Sequence, residues 1–150
     1  MTATVTGVAS GCVFDTSVLF PTFYEEHEHH QPSFDLFLQH NKETGCTAAH
    51  CLVEVYSVLT GMPGKDRARP DEALLFIGDV RERLMIIALT EEEYAQTLQD
   101  AAAAGVMGGG IYDAVVARCA LKADAKAIYT WNVKHFKRLG SDIALRVKLP

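Results

Sequence analysis

The segment at residues 111–121 constrains the fold most, because it has the pattern of a helix that is apolar on almost every side. A helix of this kind has to be surrounded by other elements, so we expect it in the core of the domain. Its only carboxylate, Asp113, falls in the first turn. An acid beside buried surface is costly unless it is paired or binds a metal, although the positive end of the helix dipole partly favours it. Asp113 therefore either caps its own helix or belongs to a site.

Two earlier segments carry further acids in positions related to Asp113. Residues 12–20 begin as a short apolar run that ends at Asp15, and a helix follows at once. This pattern puts Asp15 at the carboxyl end of a parallel strand, the edge at which open α/β sheets bind ligands. Residues 49–59 have the pattern of an inward-packing helix whose narrow polar stripe includes Glu54. We expect Glu54 to face a cleft.

The fourth segment, residues 127–136, is again a strand that leads into a helix. Thr130 and Asn132 stand at the end of this strand. Oxygen-bearing side chains from four segments are thus predicted to converge on one edge of a sheet.

The four segments together resemble the PIN-domain ribonucleases, and in particular the VapC toxins of bacterial toxin-antitoxin pairs. The matching stretches follow in the family's order at residues 13–19, 52–59, 112–117 and 130–136. Each stretch alone is common, and it is their order and separation that make the resemblance specific.

The resemblance implies a site for Mg²⁺ or Mn²⁺ held by an acidic triad of Asp15, Glu54 and Asp113. Asn132 matches a fourth position that is often Asp in such proteins. This departure removes one negative charge and leaves open whether one metal or two is bound. Ser17 and Thr130 correspond to residues that hold the acids or a metal-bound water.

The resemblance also implies partners. It predicts an RNA substrate, a small VapB-like antitoxin protein that inhibits the enzyme, and a homodimer.

The sequence contains no apolar run of about 18 residues and no pattern of a signal peptide, so we expect a cytoplasmic protein with no membrane contact. The four cysteines, which lie mainly within apolar segments, are expected to be reduced thiols.

Electrostatics favours a bound cation at the predicted site. Two carboxylates about 4 Å apart repel each other by roughly 4 kcal/mol at an effective dielectric of 20. Mg²⁺ prefers a few carboxylates together with retained waters, which suits three acids and an amide better than zinc would. The reaction we expect is in-line attack on a phosphodiester by a water whose pKa a bound cation lowers.

Contact with RNA should be local, because a net charge of −5 argues against general attraction to a polyanion. One candidate is the loop at residues 61–70, whose cations Lys65, Arg67 and Arg69 would line a basic rim. Another is Lys134 with the basic residues that follow it. A mobile solvated loop and a solvated helix face are the respective alternatives, and both stay open.

The alternation of strands and helices predicts a three-layer α/β/α PIN-like domain with a mainly parallel central sheet. With 150 residues, of which 49% are hydrophobic, the chain is expected to form a single domain at residues 1–150. The continuous apolar run at residues 84–89 predicts a central strand. The final strand is expected at residues 143–147.

Other interpretations of the residues stay open. A zinc site could use Cys46, His50 and Cys51. The tract at residues 25–30, rich in His and Glu, could bind a metal adventitiously or be a solvated helix end.

Two other functional classes compete with the nuclease. One is a PIN-like RNA-binding or regulatory protein with weak or no catalysis, for which Asn132 is the hint. The other is a phosphatase-like or nucleotide-binding α/β enzyme, although such phosphoaspartyl hydrolases carry a second acid where this chain has Ser17.

Overall fold

A computed structural model of the protein describes residues 11–150, and its centre is one parallel sheet of five strands in the order β3-β2-β1-β4-β5. Every neighbouring pair is parallel. The strands are β1 (Cys12–Phe14), β2 (Gly45–Ala48), β3 (Met85–Ile87), β4 (Ala127–Tyr129) and β5 (Val147–Lys148).

Helices connect the strands and flank the sheet. They are α1 (Thr16–Thr22), α2 (His30–Leu38), α3 (Ala49–Gly61), α4 (Pro70–Arg83), α5 (Glu91–Ala103), α6 (Gly110–Lys122), α7 (Val133–Lys137) and α8 (Ser141–Ala144). The predicted α/β class with a parallel sheet is confirmed. The extent of the single domain at residues 1–150 stays a prediction, since residues 1–10 lie outside the described part of the chain. No helix in residues 11–150 is long and apolar enough to cross a membrane.

The strand order places a switch point at β1. From β1 the chain builds outward through β2 to β3 on one side, and it then returns to add β4 and β5 on the other. The register pairs Phe14 with Tyr129, so the residues that follow β1 and β4 emerge side by side. In open α/β sheets this crevice at the carboxyl ends of the strands is where ligands bind.

Helix α6 occupies the core, as its apolar pattern predicts. It packs against α3, α5 and α7 and against β1, β2 and β4, which explains why apolar residues surround most of the helix. Val116, Cys119 and Ala120 are almost completely buried. Asp113 lies in its first turn, close to the edge where the strands end.

Two strand predictions are wrong. The run at residues 84–89 contains β3, but β3 is an edge strand rather than a central one. β3 is apolar because helices cover the faces of the sheet, and this pattern does not indicate how many strands lie beside β3. Ile143 belongs to α8, and the last strand comprises only Val147 and Lys148. A short apolar run does not by itself distinguish a buried helix from a strand.

Candidate active site

Asp15 is the buried centre of the site. It follows β1 directly, caps α1 and is only 3% exposed. Its Oδ2 accepts hydrogen bonds of 2.8 Å from Ser17 Oγ and of 2.8 Å from Thr130 Oγ1, with a longer one of 3.4 Å from Ser17 N. Oδ1 accepts no hydrogen bond from any residue in the described part of the chain. One oxygen is thus fixed by the protein, and the other is left for a ligand.

The two hydroxyls that hold Asp15 are themselves oriented by backbone N–H groups. Trp131 N donates to Ser17 Oγ at 2.9 Å, and Asn132 N donates to Thr130 Oγ1 at 2.9 Å. A hydroxyl has one proton to give, and each of these directs it at Asp15. The oxygens of Ser17 and Thr130 lie 3.1 Å apart, but neither hydroxyl has to donate its proton to the other. Ser17 and Thr130 lie where the sequence predicted supporting residues.

Burial raises the pKa of Asp15, and the hydrogen bonds from Ser17 and Thr130 offset part of that rise. A carboxylate in this position is costly when it is ionised and has no cation nearby.

Glu54 faces the same region from α3. Burial raises its pKa and so does the charge of Asp15, which shows that the two carboxylates are close enough to repel. The hydroxyl of Thr16 opposes this rise, although the buried Thr16 Oγ1 makes no hydrogen bond of ordinary geometry.

His50, one turn before Glu54, places its Nε2 3.1 Å from Glu54 Oε1. This distance suits an ion pair, but two observations argue against one. Burial lowers the pKa of His50, and the buried Nε2 lacks a hydrogen bond of good geometry. Burial thus favours the neutral form of the His50 imidazole, which contacts Glu54.

Asp113 completes the cluster from the first turn of α6. Burial and the charges of Asp15 and Glu54 raise its pKa to about 6, against the opposing influence of His135 and Arg138. His135 Nδ1 lies 3.7 Å from Asp113 Oδ2. A cleft of about 290 Å³ extends from Asp113 past His135 and Arg138 toward the glycine-rich turn before α6.

The predicted triad is thus one electrostatic cluster, since each member affects the pKa of another. Within residues 11–150, however, no three His, Cys, Asp or Glu side chains lie close enough to form a ready metal centre. The donor set still suits a hard divalent cation, because the free Asp15 Oδ1 and two partly exposed carboxylates supply only oxygen ligands. A cation would need Glu54 and Asp113 to move toward Asp15, and its attraction for the three carboxylates would have to exceed the repulsion among them.

Asn132 immediately precedes α7 and is exposed. Its backbone N–H supports Thr130, whereas its side chain makes no hydrogen bond with any described residue. The role predicted for the Asn132 side chain at the metal stays a prediction.

The basic loop is partly neutralised by internal contacts. Arg69 pairs with Asp71 and Glu72, and Arg67 Nε donates to the carbonyl of Met62. Lys65 is exposed in a short turn, and Lys134 is exposed on α7. Their contact with RNA stays a prediction, and Lys65 is the cation of the loop that is most available for it.

The alternative metal sites gain no support. Cys46 and Cys51 are buried, burial raises the pKa of each to about 12, and they belong to no group of three potential metal ligands among the described residues. All four cysteines are free thiols. In the tract at residues 25–30, His29 stacks on Trp131 and His30 Nδ1 bonds the carbonyl of Pro21. No metal cluster forms there among the described residues.

Two contacts were not predicted from the sequence. One is the approach of His135 and Arg138 to Asp113. The other is a stack of Tyr112 on His50, with ring centroids 4.9 Å apart and planes 16° apart. Tyr112 is next to Asp113 in the sequence, and His50 lies one turn before Glu54. These positions were the signals that could have indicated the stack.

The chain is similar in sequence to known proteins. Residues 12–141 match the PIN domain family. Ribonuclease VapC40 of Mycobacterium tuberculosis is 33% identical over 114 residues, which cover 76% of this chain and 81% of that protein.

Two solved structures share the fold. VapC20 of Mycobacterium tuberculosis, described as a Sarcin-Ricin loop cleaving toxin, has a TM-score of 0.69 at 13% identity and covers 83% of this chain and 92% of its own. VapBC2 of Rickettsia felis, bound to a DNA fragment from its promoter, has a TM-score of 0.62 at 16% identity, covering 92% and 97% respectively.

Proposed function

Because the chain belongs to the PIN domain family, and within it to the VapC ribonucleases, we propose that it is an endoribonuclease toxin that hydrolyses RNA phosphodiester bonds at Asp15, Glu54 and Asp113. The observation that carries the assignment of the site is the fixed Asp15. Its Oδ2 is held by Ser17 and Thr130, while its Oδ1 stays free at the switch point of the sheet.

Mg²⁺ or Mn²⁺ would be held by Asp15 Oδ1 and by the carboxylates of Glu54 and Asp113. When bound, such an ion lowers the pKa of a water and offsets negative charge on the phosphate. The preference for these ions over softer metals rests on the all-oxygen donor set.

The chain's own residues supply position and electrostatics. Ser17 and Thr130 keep the Asp15 carboxylate in one orientation, and the buried surroundings strengthen every charge interaction at the site. Arg138, which lines the same cleft as Asp113, provides positive charge where an RNA phosphate would lie, and the His135 imidazole lies beside it. Asn132 completes the edge of the site, where its amide can orient a water.

The phosphatase-like alternative does not agree with membership of the PIN family. Where such an enzyme has a second acid, this chain has Ser17, whose hydroxyl is used to hold Asp15. The alternative of a catalytically weak RNA-binding protein rests on Asn132 in place of an acid, and the same experiment distinguishes it from the nuclease.

The test is incubation of the purified protein with structured and unstructured RNA in Mg²⁺, in Mn²⁺ and in chelator, with a phosphomonoester as a parallel substrate. We expect cleavage of RNA only with a metal and no hydrolysis of the phosphomonoester. Asp113→Asn should fold normally and cleave slower by a factor on the order of 100 to 1000, as expected when one group that stabilises the transition state is lost. Asp79→Asn, an exposed acid on α4, is the matched control.

Equal RNA cleavage by wild type and by a well-folded Asp113→Asn variant would exclude this site. Metal-dependent RNA binding without cleavage would favour the binding protein instead.

A VapB-like antitoxin and a homodimer are part of the proposal, as is action on cytoplasmic RNA. Exposed large apolar side chains on α3 and α4, including Val53, Leu74 and Leu75, are the kind of surface that partner chains cover. The antitoxin is expected to present an Arg or Lys to the acidic cluster.

Light scattering at tens of micromolar should give a dimer, and co-expression with a neighbouring gene for a small DNA-binding protein should suppress cleavage. A monomer, or a complex in which the acids stay accessible to metal, would contradict this part of the proposal.

A further inference from the structure

An exposed aromatic ring stands beside the acidic cluster. Tyr112 immediately precedes Asp113 on α6 and is 49% exposed. One face of its ring lies on the imidazole of His50, with centroids 4.9 Å apart. His50 in turn contacts Glu54 at 3.1 Å. The stack therefore connects α3 and α6, the two helices that carry Glu54 and Asp113.

The stack fixes the direction in which Tyr112 presents its ring. A tyrosine that is free in solvent samples several rotamers, whereas one that rests on a neighbouring ring loses much of that freedom before a ligand arrives. Contact with His50 uses only one face of the phenol ring, and about half of the side chain stays exposed. The Tyr112 ring thus forms an oriented and exposed aromatic surface at the edge of the site.

The net charge of −5 repels the RNA backbone in general, so contacts with the bases would supplement the local positive charge near Asp113. Bases are uncharged and have π-faces, so they gain from stacking on an aromatic side chain without meeting this repulsion. The Tyr112 ring is linked to the acids by contact, since it stacks on His50 and His50 contacts Glu54.

We propose that Tyr112, supported from behind by His50, stacks on an unpaired base next to the phosphate that is cleaved, and so positions the RNA. Tyr112 is a positioning residue in this scheme, while the acids carry the chemistry. The inference rests on the proposed ribonuclease function and assigns it a single-stranded or unstacked segment as substrate.

The first test uses a synthetic RNA oligonucleotide that spans a mapped cleavage site. Tyr112→Leu keeps an apolar side chain but removes the ring, and we expect KM to rise by about 5-fold to 150-fold, the range for loss of one stacked base. The value of kcat should change little, because stacking contributes about equally in the ground state and the transition state. Tyr112→Phe should behave like wild type. Tyr94→Leu, which changes another exposed tyrosine, on α5, is the control for loss of aromatic surface in general.

The second test leaves the protein unchanged. Abasic nucleotides are placed one at a time along the same RNA, and one position near the cleaved bond should lower kcat/KM of wild type by at least about 5-fold. At that position Tyr112→Leu should cause no further loss, because the missing base and the missing ring remove the same contact.

The outcomes separate this inference from the proposed function. If wild type does not cleave RNA with any metal, both are overturned. If wild type cleaves RNA but Tyr112→Leu leaves KM unchanged, or every abasic position is tolerated, the stacking role alone is wrong. A fall in kcat with unchanged KM would also overturn it, since that result indicates a displaced Asp113.

Discussion

Thr130 Oγ1 donates a 2.8 Å hydrogen bond to Asp15 Oδ2 and so joins the ends of β4 and β1, two strands far apart in sequence. Thr130 is completely buried, and its own orientation depends on the N–H of Asn132. The bond forms only if β4 pairs with β1 in the observed register. The fold and the orientation of the central acid are therefore specified by the same contact.

Thr130→Val should destabilise the protein and impair the site. The change is nearly isosteric but leaves Asp15 without one of its two hydroxyl donors, and a hydrogen bond to a charged group contributes about 1.5–3 kcal/mol. We expect the free energy of unfolding at pH 8 to fall by about that amount, measured by urea denaturation. The pKa of Asp15 should rise further, which weakens binding of a divalent cation.

Thr22→Val provides the control. Thr22 is also buried, but its hydroxyl donates to the backbone carbonyl of Val18, a neutral acceptor. Its loss should cost about 1 kcal/mol and leave metal binding unchanged. Equal losses for the two variants, with equal metal affinity, would mean that Thr130 has no special role at Asp15.

Much of the site was predictable because parallel strands end at a common edge. Asp15 follows an apolar run directly, and Thr130 does the same in another segment, so the topology brings them together once both runs are strands. Glu54 was identifiable from a narrow polar stripe on an apolar helix. These signals are local, and each depends on residues only a few positions apart.

The contacts that the sequence did not predict depend on how helices face one another. Periodicity indicates which side of α7 is apolar, but it does not indicate that His135 lies 3.7 Å from Asp113. The stack of His50 on Tyr112 likewise depends on the packing of α3 against α6. The edge position of β3 was missed for a related reason, since apolar residues report burial by helices and not the order of strands.

The metal-free protein should show a pH dependence that originates at Asp113. Its folded-state pKa of about 6 lies above the ordinary value of 3.8, so the folded protein holds this proton more tightly than the unfolded chain does. Stability from this group is present at low pH and is lost as pH rises through about 6. In chelator, Asp113→Asn should therefore be more stable than wild type at pH 8, and the difference should shrink toward zero near pH 4.

Urea denaturation of wild type and Asp113→Asn at several pH values measures the difference in their free energies of unfolding. Groups that titrate equally in the two proteins do not contribute to this difference. A gap between the variants that is independent of pH would show that Asp113 is not perturbed in the folded state. With Mg²⁺ present the sign should reverse at pH 8, because the wild-type carboxylate then has a cation to bind.

The cations of the basic loop should contribute unequally to RNA binding. Arg69 is paired with Asp71 and Glu72, whereas Lys65 makes no ion pair with any described residue. We expect Lys65→Ala to weaken RNA binding and to reduce the slope of log affinity against log salt by about 0.7, the value for one contact to a single strand. Arg69→Ala should change the slope less. Binding measured by fluorescence anisotropy across a salt series tests this, and equal slopes for wild type and Lys65→Ala would contradict a phosphate contact.

Binding of a divalent cation should stabilise the fold through Asp15 and Glu54. If Mg²⁺ or Mn²⁺ binds only the folded cluster, a concentration of about one hundred times Kd adds roughly 2.7 kcal/mol to the free energy of unfolding, and Tm rises. Asp15→Ala and Glu54→Ala should abolish this rise. Each substitution also removes a negative charge that repels Asp113 and raises its pKa. The metal-free variants should therefore be more stable than wild type, or lose less stability than the loss of packing alone would cause. Asn132→Ala removes no charge and should reduce the metal-dependent shift only slightly.

Thermal melts in chelator, Mg²⁺ and Mn²⁺ at fixed ionic strength distinguish binding from screening. Asp79→Asn, which removes a charge on α4, should retain the full metal-dependent shift. A shift that persists in both the Asp15 and the Glu54 variants would locate the cation elsewhere. His27 and His29, whose rings lie 5.6 Å apart near Trp131, would then be the first residues to replace.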